Sequence, residues 1–430
     1  MKPPPPDVGT EHLLEIGSEI LLEIENVAHG GVCLARHEGL TIFVRHALPG
    51  ERVRAAVTET RPRYARADAV EVIRAAPGRV EPPCPWARPT LCGGCDWQHA
   101  SLDEQRALKA AVIRDQLRQL AGLDVEVVVE AVGGDDSGLG WRTRVQFAVD
   151  AEGVAGLRRH RSHDIVPIDW CRIAAPGVVE LGVPSYRWPG ASSVEAVAGG
   201  SGDRAVVVTP RRRGAKVGAP AALEASVMRA DDKGAVDAVR GRPGVRERAL
   251  GRTFWVGGSG FWQVHPGAAE VLTAAVLAAL RPAPGDLVLD LYAGVGLFAA
   301  ALAPFVAPRG EVIAIEGGPG AAADATTNVR DLPSVRVREG RVDTVLDALG
   351  LGRAQVVVLD PPRTGAGEGV VRRIAGLAPR AIAYVACDPA ALARDVSTFA
   401  DAGYRLDSIR AFDLFPMTHH VECVATLTPV

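Results

Sequence analysis

Apolar positions alternate at period two near the start of the chain. Ile20, Leu22 and Ile24, then Val32 and Leu34, then Ile42 and Val44 fall on every second residue, as in strands with one buried face. Gly30-Gly31, His37-Glu38-Gly39 and Pro49-Gly50 separate them as turns. Several short strands without a helical period predict a small closed barrel of OB type over Ser18 to Arg74. The period changes at Leu102 to Leu120, where Leu108, Val112, Leu117 and Leu120 have helical spacing. Arg142 to Ile168 reads as a hairpin region. Pro184 to Gly218, rich in Gly, Pro, Ser and Ala, shows no clear pattern and is expected to be loop-rich.

From Pro284 the pattern changes again. Leu287-Val288-Leu289-Asp290-Leu291 reads as a strand, Tyr292 to Phe298 as a Gly-rich turn, Ala299 onward as a helix, and Val312 to Glu316 as a second strand. Val356 to Leu359, Ala381 to Ala386, Tyr404 to Phe412 and His420 to Leu427 supply further strands. Uncharged runs such as Ala381 to Ala386 suit strands covered on both faces. Strands alternating with helices predict a fold of class α/β with a doubly wound, Rossmann-like sheet.

With 430 residues, 47% hydrophobic and 23% charged, the chain is globular and long enough for two or three domains. Its net charge of −3 gives no global sign of nucleic-acid binding. A local one exists: nine arginines stand against five acidic residues between Arg36 and Arg79, most densely in Arg61-Pro62-Arg63-Tyr64-Ala65-Arg66. Such a strip is either a solvated face or a track for a phosphate backbone. The Pro-rich start, Met1 to Gly9, predicts a disordered leader and no signal peptide. Leu291 to Pro308 is uncharged, but Gly294, Gly296, Pro304 and Pro308 make it strand, loop and helix rather than a membrane span. Seven cysteines without a secretion signal point to thiols, metal or catalysis in the cytoplasm.

Cys84, Cys92 and Cys95 are spaced with a Gly93-Gly94 pair between the last two, and Cys171 follows after the hairpin region. Thiolates that close together suit an iron–sulfur cluster or a four-cysteine zinc site. Arg142, Arg144, Arg158, Arg159, Arg161 and Arg172 accompany them. Cys387 closes the Ala381 to Ala386 strand, with Asp388 as N-cap and Pro389 in the first turn of the next helix. Ligands bind at such carboxyl ends of strands, and a helix start favours a thiolate, which the Asp388 charge opposes. On position alone Cys387 is equally a small buried hydrophobe. Gly294 to Ala299, with Glu316 about twenty residues on, suits either NAD or S-adenosylmethionine, the acid holding ribose hydroxyls.

At Asp360-Pro361-Pro362-Arg363, Cys387-Asp388-Pro389 and His420-Val421-Glu422, the chain resembles the S-adenosylmethionine-dependent RNA 5-methyluridine methyltransferases. It is most similar to members with an N-terminal TRAM domain and a [4Fe-4S] cluster, over about Ser18 to Leu427 and most loosely over Pro184 to Gly251. The resemblance implies a leader at 1–14, a TRAM barrel at 15–76, a small β-rich central domain with the cluster at 77–252, and a class I methyltransferase domain at 253–430. The helix near 101–121 is expected to pack on that last domain. By matching motifs, Cys84, Cys92, Cys95 and Cys171 hold the cluster. Gln263 within Phe261-Trp262-Gln263, Tyr292 and Gly294 within Asp290 to Gly294, Glu316 and Asp360 bind the cofactor. Cys387 is the nucleophile and Glu422 the general base. Four features depart from the family: two extra residues between Cys84 and Cys92, Asp388 in place of Asn, Leu297 beside the methionine end of the cofactor, and Gly340-Arg341 where an Asn or Asp often reaches the adenine.

The implied chemistry needs these groups. C5 of uracil becomes nucleophilic once a thiolate adds to C6, and a base must then remove H5 so that the thiolate can leave. A uridine in a stack cannot reach such a pocket, so it is single-stranded or flipped out. The expectation is a monomeric cytoplasmic RNA methyltransferase, without a membrane partner, acting on ribosomal RNA in preference to transfer RNA. Without the motif, Glu422 reads as an edge-strand surface carboxylate and Asp360 as a helix cap. Cys33 and Cys423 read as buried apolar residues. Two alternatives are an amino-group methyltransferase, which needs no nucleophilic thiol, and a non-catalytic RNA-binding protein with a vestigial transferase fold.

Overall fold

The computed structural model describes residues 14–133, 137–215, 217–231, 236–258 and 260–430; apart from Leu14, the expected leader lies outside them. Strands β1 (Glu19–Val27), β2 (Cys33–His37), β3 (Leu40–Arg45), β4 (Arg52–Arg61) and β5 (Tyr64–Arg74) close a barrel in the order β1-β2-β3-β5-β4. Leu22, Ile24, Ile42, Val44 and Val53 fill it. The phase of β2 differs from the sequence reading: Cys33 and Ala35 face inward and Leu34 is only half-buried. β2 itself alternates regularly, with Ala35 opposite Ile24 and Cys33 opposite Val27, and a bulge in β1 between Ile24 and Asn26 brings Val27 into line with Cys33.

Helix α1 (Leu102–Ala121) and β6 (Val129–Ala131) follow. Ser101 caps α1 by accepting from the Glu104 N–H, and Gly122 ends it in the left-handed region at φ 66°. Leu108, Val112 and Leu117 are buried, whereas Leu120, expected on the same face, is 40% exposed in the last turn. Strands β7 (Arg144–Val149), β8 (Ala155–Arg158) and β9 (Ile165–Pro167) form the expected hairpin region, followed by the short helix α2 (Pro176–Val179). The stretch expected to be loop-rich instead contributes β10 (Ala191–Ala198) and β11 (Arg204–Pro210). The small residues of β10 carry little apolar signal, and Ala205 to Val208 is buried without alternation. With β12 (Ser226–Ala230) and β13 (Val236–Arg240) they make a seven-stranded sheet, and β14 (Gly244–Ala249) and β15 (Arg252–Gly257) form a separate hairpin.

The last part is doubly wound. Its elements are α3 (Ala268–Leu280), β16 (Leu287–Leu291), α4 (Leu297–Val306), β17 (Glu311–Glu316), α5 (Pro319–Asn328), β18 (Val335–Glu339), α6 (Val342–Leu349), β19 (Val356–Leu359), α7 (Glu368–Gly376), β20 (Ala381–Ala386), α8 (Pro389–Asp401), β21 (Tyr404–Asp413) and β22 (Glu422–Pro429). The sheet order is β18-β17-β16-β19-β20-β22-β21-β6, with β22 antiparallel to both neighbours. α1 packs on α8 and β6 adds an edge strand beside β21. Among the described residues, no helix is long and apolar enough to cross a membrane.

The β21–β22 loop, Leu414 to Val421, is held from outside its own sheet. Lys109 Nζ donates to Asp413 Oδ1 at 2.5 Å and to the Phe415 carbonyl at 3.1 Å, with Lys109 and Asp413 both buried. Gln105 Oε1 accepts from the Met417 N–H at 2.7 Å. The Asp96 and Trp97 N–H groups donate to the Met417 carbonyl, and the His419 Nδ1 to Asp96 Oδ2 contact is 2.6 Å. Burial opposes the Lys109 charge and Asp413 restores it. Removing one partner of such a pair leaves an uncompensated buried charge. We expect Lys109→Met to destabilise the protein by about 3–5 kcal/mol, read as a lower urea midpoint. A loss under about 1 kcal/mol would show that Asp413 does not depend on Lys109.

Candidate active site

The carboxyl ends of β16, β19 and β20 lie side by side in one parallel register. Cys387 directly follows β20. β22 runs back along β20 with Ala386 opposite Cys423, so extending the register by one residue sets Cys387 against Glu422. Asp360 directly follows β19. The expected nucleophile, the expected base and Asp360, expected to bind the cofactor, therefore lie at the same end of the sheet. Cys423 and Cys33 are fully buried, in agreement with their reading as apolar residues.

Electrostatics mark these groups. Burial, then the Glu422 charge, pushes the Cys387 thiol up to about 12, while Arg363 opposes the rise. Burial, then Asp360, raises Glu422 well above the carboxylate range, and Arg363 again opposes. Burial brings Asp360 to about 7. Glu422 is only 2% exposed, so it is not the surface carboxylate that its position alone suggests.

The loop after β19 is fixed from α8. Asp395 Oδ2 accepts from the Ala366 N–H at 2.7 Å and from the Tyr384 hydroxyl at 2.6 Å. Gly365 has φ 88°, and a Cβ there would lie 2.7 Å from Asp395 Oδ2, so the position needs glycine. Arg363 Nη2 sits 3.5 Å from the His420 Nε2. Burial brings His420 down to about 3, which keeps it neutral beside that guanidinium.

On the nucleotide side, Asp290 Oδ2 accepts from the Ala299 N–H at 2.8 Å, so α4 starts at Leu297, two residues earlier than expected. Asp290 is 1% exposed and its Oδ1 lacks a hydrogen-bond partner. Burial pushes its carboxyl up to about 7. Glu316 accepts from Gly294 N–H at 2.8 Å and Gly318 N–H at 2.6 Å, tying the glycine loop to the end of β17. Tyr292 and Gly294 have φ 61° and 55°, and no atom lies within 4 Å of where a Gly294 Cβ would stand. A buried unpartnered acid beside an open glycine cradle fits a bound nucleoside group. Gln263 is buried at 8% exposure, and Leu297 is buried. The Gly340 N–H donates to the Glu316 carbonyl, and Arg341 pairs with Asp343.

Cys84, Cys92, Cys95 and Cys171 line one cavity of about 460 Å³ with Arg142, Arg172, His160 and His420. All four are free thiols. Burial raises each, and they raise one another: Cys171 and Cys84 act on Cys92, which reaches about 11, and Cys171 and Cys92 act on Cys95. The Gly93 N–H donates to the Arg158 carbonyl, and a Gly93 Cβ would collide with the His160 backbone at 2.3 Å, so glycine is required there. Among the described residues, no three His, Cys, Asp or Glu side chains are gathered closely enough to hold a metal ion as they stand. Four thiols around one cavity nonetheless have the donor chemistry of a soft-metal site.

Six of the nine barrel arginines are paired: Arg52 and Arg74 with Glu23, Arg54 with Glu71, Arg61 and Arg66 with Glu59, and Arg79 with Glu51. Glu23 lies upstream of the stretch counted in the sequence, so the excess positive charge is smaller than the count. Arg63 remains exposed at the β4–β5 turn. Arg363 stood in the motif without a role, and its electrostatic action on both Cys387 and Glu422 follows only from the packing. His29 Nε2 meets Asp388 Oδ2 at 3.1 Å, a contact across 359 residues that leaves no local sequence signal.

Residues 13–70 match the TRAM domain family and residues 260–429 match the tRNA (uracil-5-)-methyltransferase family. A Streptomyces avermitilis protein named as an uncharacterized RNA methyltransferase is 54% identical, covering 96% of this chain and 99% of that one. The 23S rRNA (uracil(1939)-C(5))-methyltransferase RlmD of Shewanella sp. (strain ANA-3) is 30% identical, covering 96% of each. In three dimensions the chain is similar to Pyrococcus abyssi tRNA (uracil-54, C5)-methyltransferase in complex with S-adenosyl-L-homocysteine. The TM-score is 0.73 at 23% identity, over 95% of this chain and 99% of that one. That likeness establishes the fold.

Proposed function

Because this chain belongs to the tRNA (uracil-5-)-methyltransferase family of RNA methyltransferases, with a TRAM domain ahead of the enzyme, we propose that it methylates C5 of a uridine in ribosomal RNA through an adduct at Cys387. The observation that carries the reading is the β20–β22 register, which brings Cys387 to the buried Glu422 beside Asp360. Ribosomal RNA is favoured over transfer RNA because the Shewanella relative named for 23S rRNA aligns along nearly the whole chain. An amino-group methyltransferase would have no use for this thiol.

When bound, S-adenosylmethionine supplies a sulfonium methyl; Gln263, Tyr292, Gly294, Glu316 and Asp360 are the residues assigned to hold it, with the unpartnered Asp290 carboxyl beside them. Cys387, its Sγ proton given up to solvent, adds to C6 as a thiolate, and the C5–C6 π electrons pass toward O4 as an enolate. C5 then takes the methyl group and becomes saturated. Glu422 removes H5, the C5–C6 double bond re-forms, and Sγ leaves as thiolate. Arg363 favours both ionised forms, the thiolate and the Glu422 carboxylate. Burial makes Glu422 a stronger base once ionised, which suits removal of a proton from carbon.

The barrel at 15–76 and the central part at 77–252 are assigned to RNA holding, and 253–430 to catalysis, in the cytoplasm where seven free thiols persist. Cys84, Cys92, Cys95 and Cys171 are assigned to a [4Fe-4S] cluster. Four thiols around one cavity give the soft donor set that such a cluster takes. Protein purified without air is expected to be brown, with about four irons per chain. Cys92→Ser should bleach it and Cys33→Ser should not; stoichiometric zinc without iron would overturn the assignment.

Catalysis is tested with 23S rRNA and tRNA transcripts and S-adenosylmethionine. Cys387→Ala should give neither product nor adduct. Glu422→Gln should leave protein joined to methylated 23S rRNA through denaturing electrophoresis, because H5 stays in place, and the double variant should not. Normal turnover by Glu422→Gln would assign the base elsewhere. Methylation of the tRNA alone would overturn the ribosomal assignment.

A further inference from the structure

We propose that His29, on the β1–β2 turn of the barrel, is a positioning residue for the Cys387 thiol, acting through Asp388. This rests on the reading of Cys387 as nucleophile. The barrel turn is seated between two loops of the catalytic sheet. On one side His29 Nε2 lies 3.1 Å from Asp388 Oδ2. On the other, a Cβ at Gly31 would stand 2.6 Å from the His419 Cβ, and the Trp97 Nε1–H donates to the Gly31 carbonyl at 3.0 Å. Backbone bonds from Ala28 to Val32 and from Gly31 to Ala28 hold the turn itself.

Asp388 has two tasks that conflict. Its Oδ1 caps α8 by accepting from the Ala391 N–H at 2.8 Å. Its charge also stands next in sequence to Cys387, where it adds to the cost of a thiolate. The other charges facing Cys387 are Glu422, Asp360 and Arg363, so three acids oppose one cation there. Among the described residues, the charged groups acting on His29 are Asp388 and Arg394, and those acting on Asp388 are His29 and Arg394. A protonated His29 cancels the Asp388 charge without touching the cap.

The hydrogen bond to Asp388 raises His29 above the ordinary histidine value, against burial and Arg394. Burial works against the Asp388 charge, but the His29 and Ala391 hydrogen bonds hold its carboxyl below its usual value. The compensation is therefore complete at low pH and fades as pH rises through the raised His29 value. Exposed ion pairs contribute little to stability, so thiol reactivity, not melting, should report this pair. Barrel seating and thiol reactivity are then linked through one contact.

The test is the rate at which N-ethylmaleimide labels the Cys387 peptide in the full chain, read by mass spectrometry from pH 6 to 8. His29 is well exposed, and Asn also caps helices, so the variants keep the fold, with melting as a check. His29→Ala should label about three- to tenfold more slowly at pH 7, as an uncompensated neighbouring charge implies. His29→Lys should restore the rate. Asp388→Asn should react at least as fast as wild type, and adding His29→Ala to it should change nothing. An unchanged rate in His29→Ala, no rescue by lysine, or the same slowing in the Asp388→Asn background would each overturn the proposal. Labelling needs no methyl transfer. An active Cys387→Ala enzyme would therefore sink the nucleophile assignment while leaving the labelling result to stand or fall alone.

Discussion

The buried Lys109–Asp413 pair fixes the piece of chain on which the candidate site depends. It anchors the start of the β21–β22 loop to α1, and Gln105, Trp97 and Asp96 hold the same loop at Met417 and His419. Glu422 begins β22 immediately afterward. The depth at which this carboxyl sits in the sheet is thus set by residues more than three hundred positions earlier. Cys95 directly precedes Asp96, so the four-cysteine cavity and the base share one scaffold. An ordered cysteine segment would rigidify the loop without taking part in the chemistry.

Burial weighs against charge on every acidic group of the site. Burial raises Cys387, Glu422 and Asp360 together, because each charge lost from water costs more than the surrounding dipoles return. Arg363 is the cation that opposes this for both Cys387 and Glu422. It reaches the site from a loop that Asp395 and Gly365 hold against α8. Charge close to Cys387 then matters more than charge anywhere else on the surface.

The inner strands β16, β17, β19 and β20 were legible because they are continuous apolar runs, and β20 was read to the residue, whereas the edge strand β18, in which arginines alternate with valines, was not read. The barrel was legible from alternation, but not its phase in β2, since Val32 lies before the strand and Leu34 reads as apolar whichever face it takes. β10 and β11 were missed because Ala and Ser carry weak apolar contrast and a strand buried on both faces does not alternate. Leu120 was misplaced because helical periodicity does not say how far along a helix its partner extends. At the site, the motifs singled out Cys387, Glu422 and Asp360 separately, and it is the strand register that brings them together. The partners of Glu316 and the contact between His29 and Asp388 came only from tertiary structure. The arginine strip was overread because Glu23 closes onto it from another strand.

The central claim is that Cys387 adds to C6 and that H5 must leave before the enzyme is released. Fluorine at C5 cannot be abstracted as a proton, so RNA carrying 5-fluorouridine separates the two steps in the unaltered protein. With S-adenosylmethionine present, the mass of the digested complex should show the Cys387 peptide bonded to a methylated 5-fluorouridine. No adduct, or an adduct on any other residue, would contradict the account.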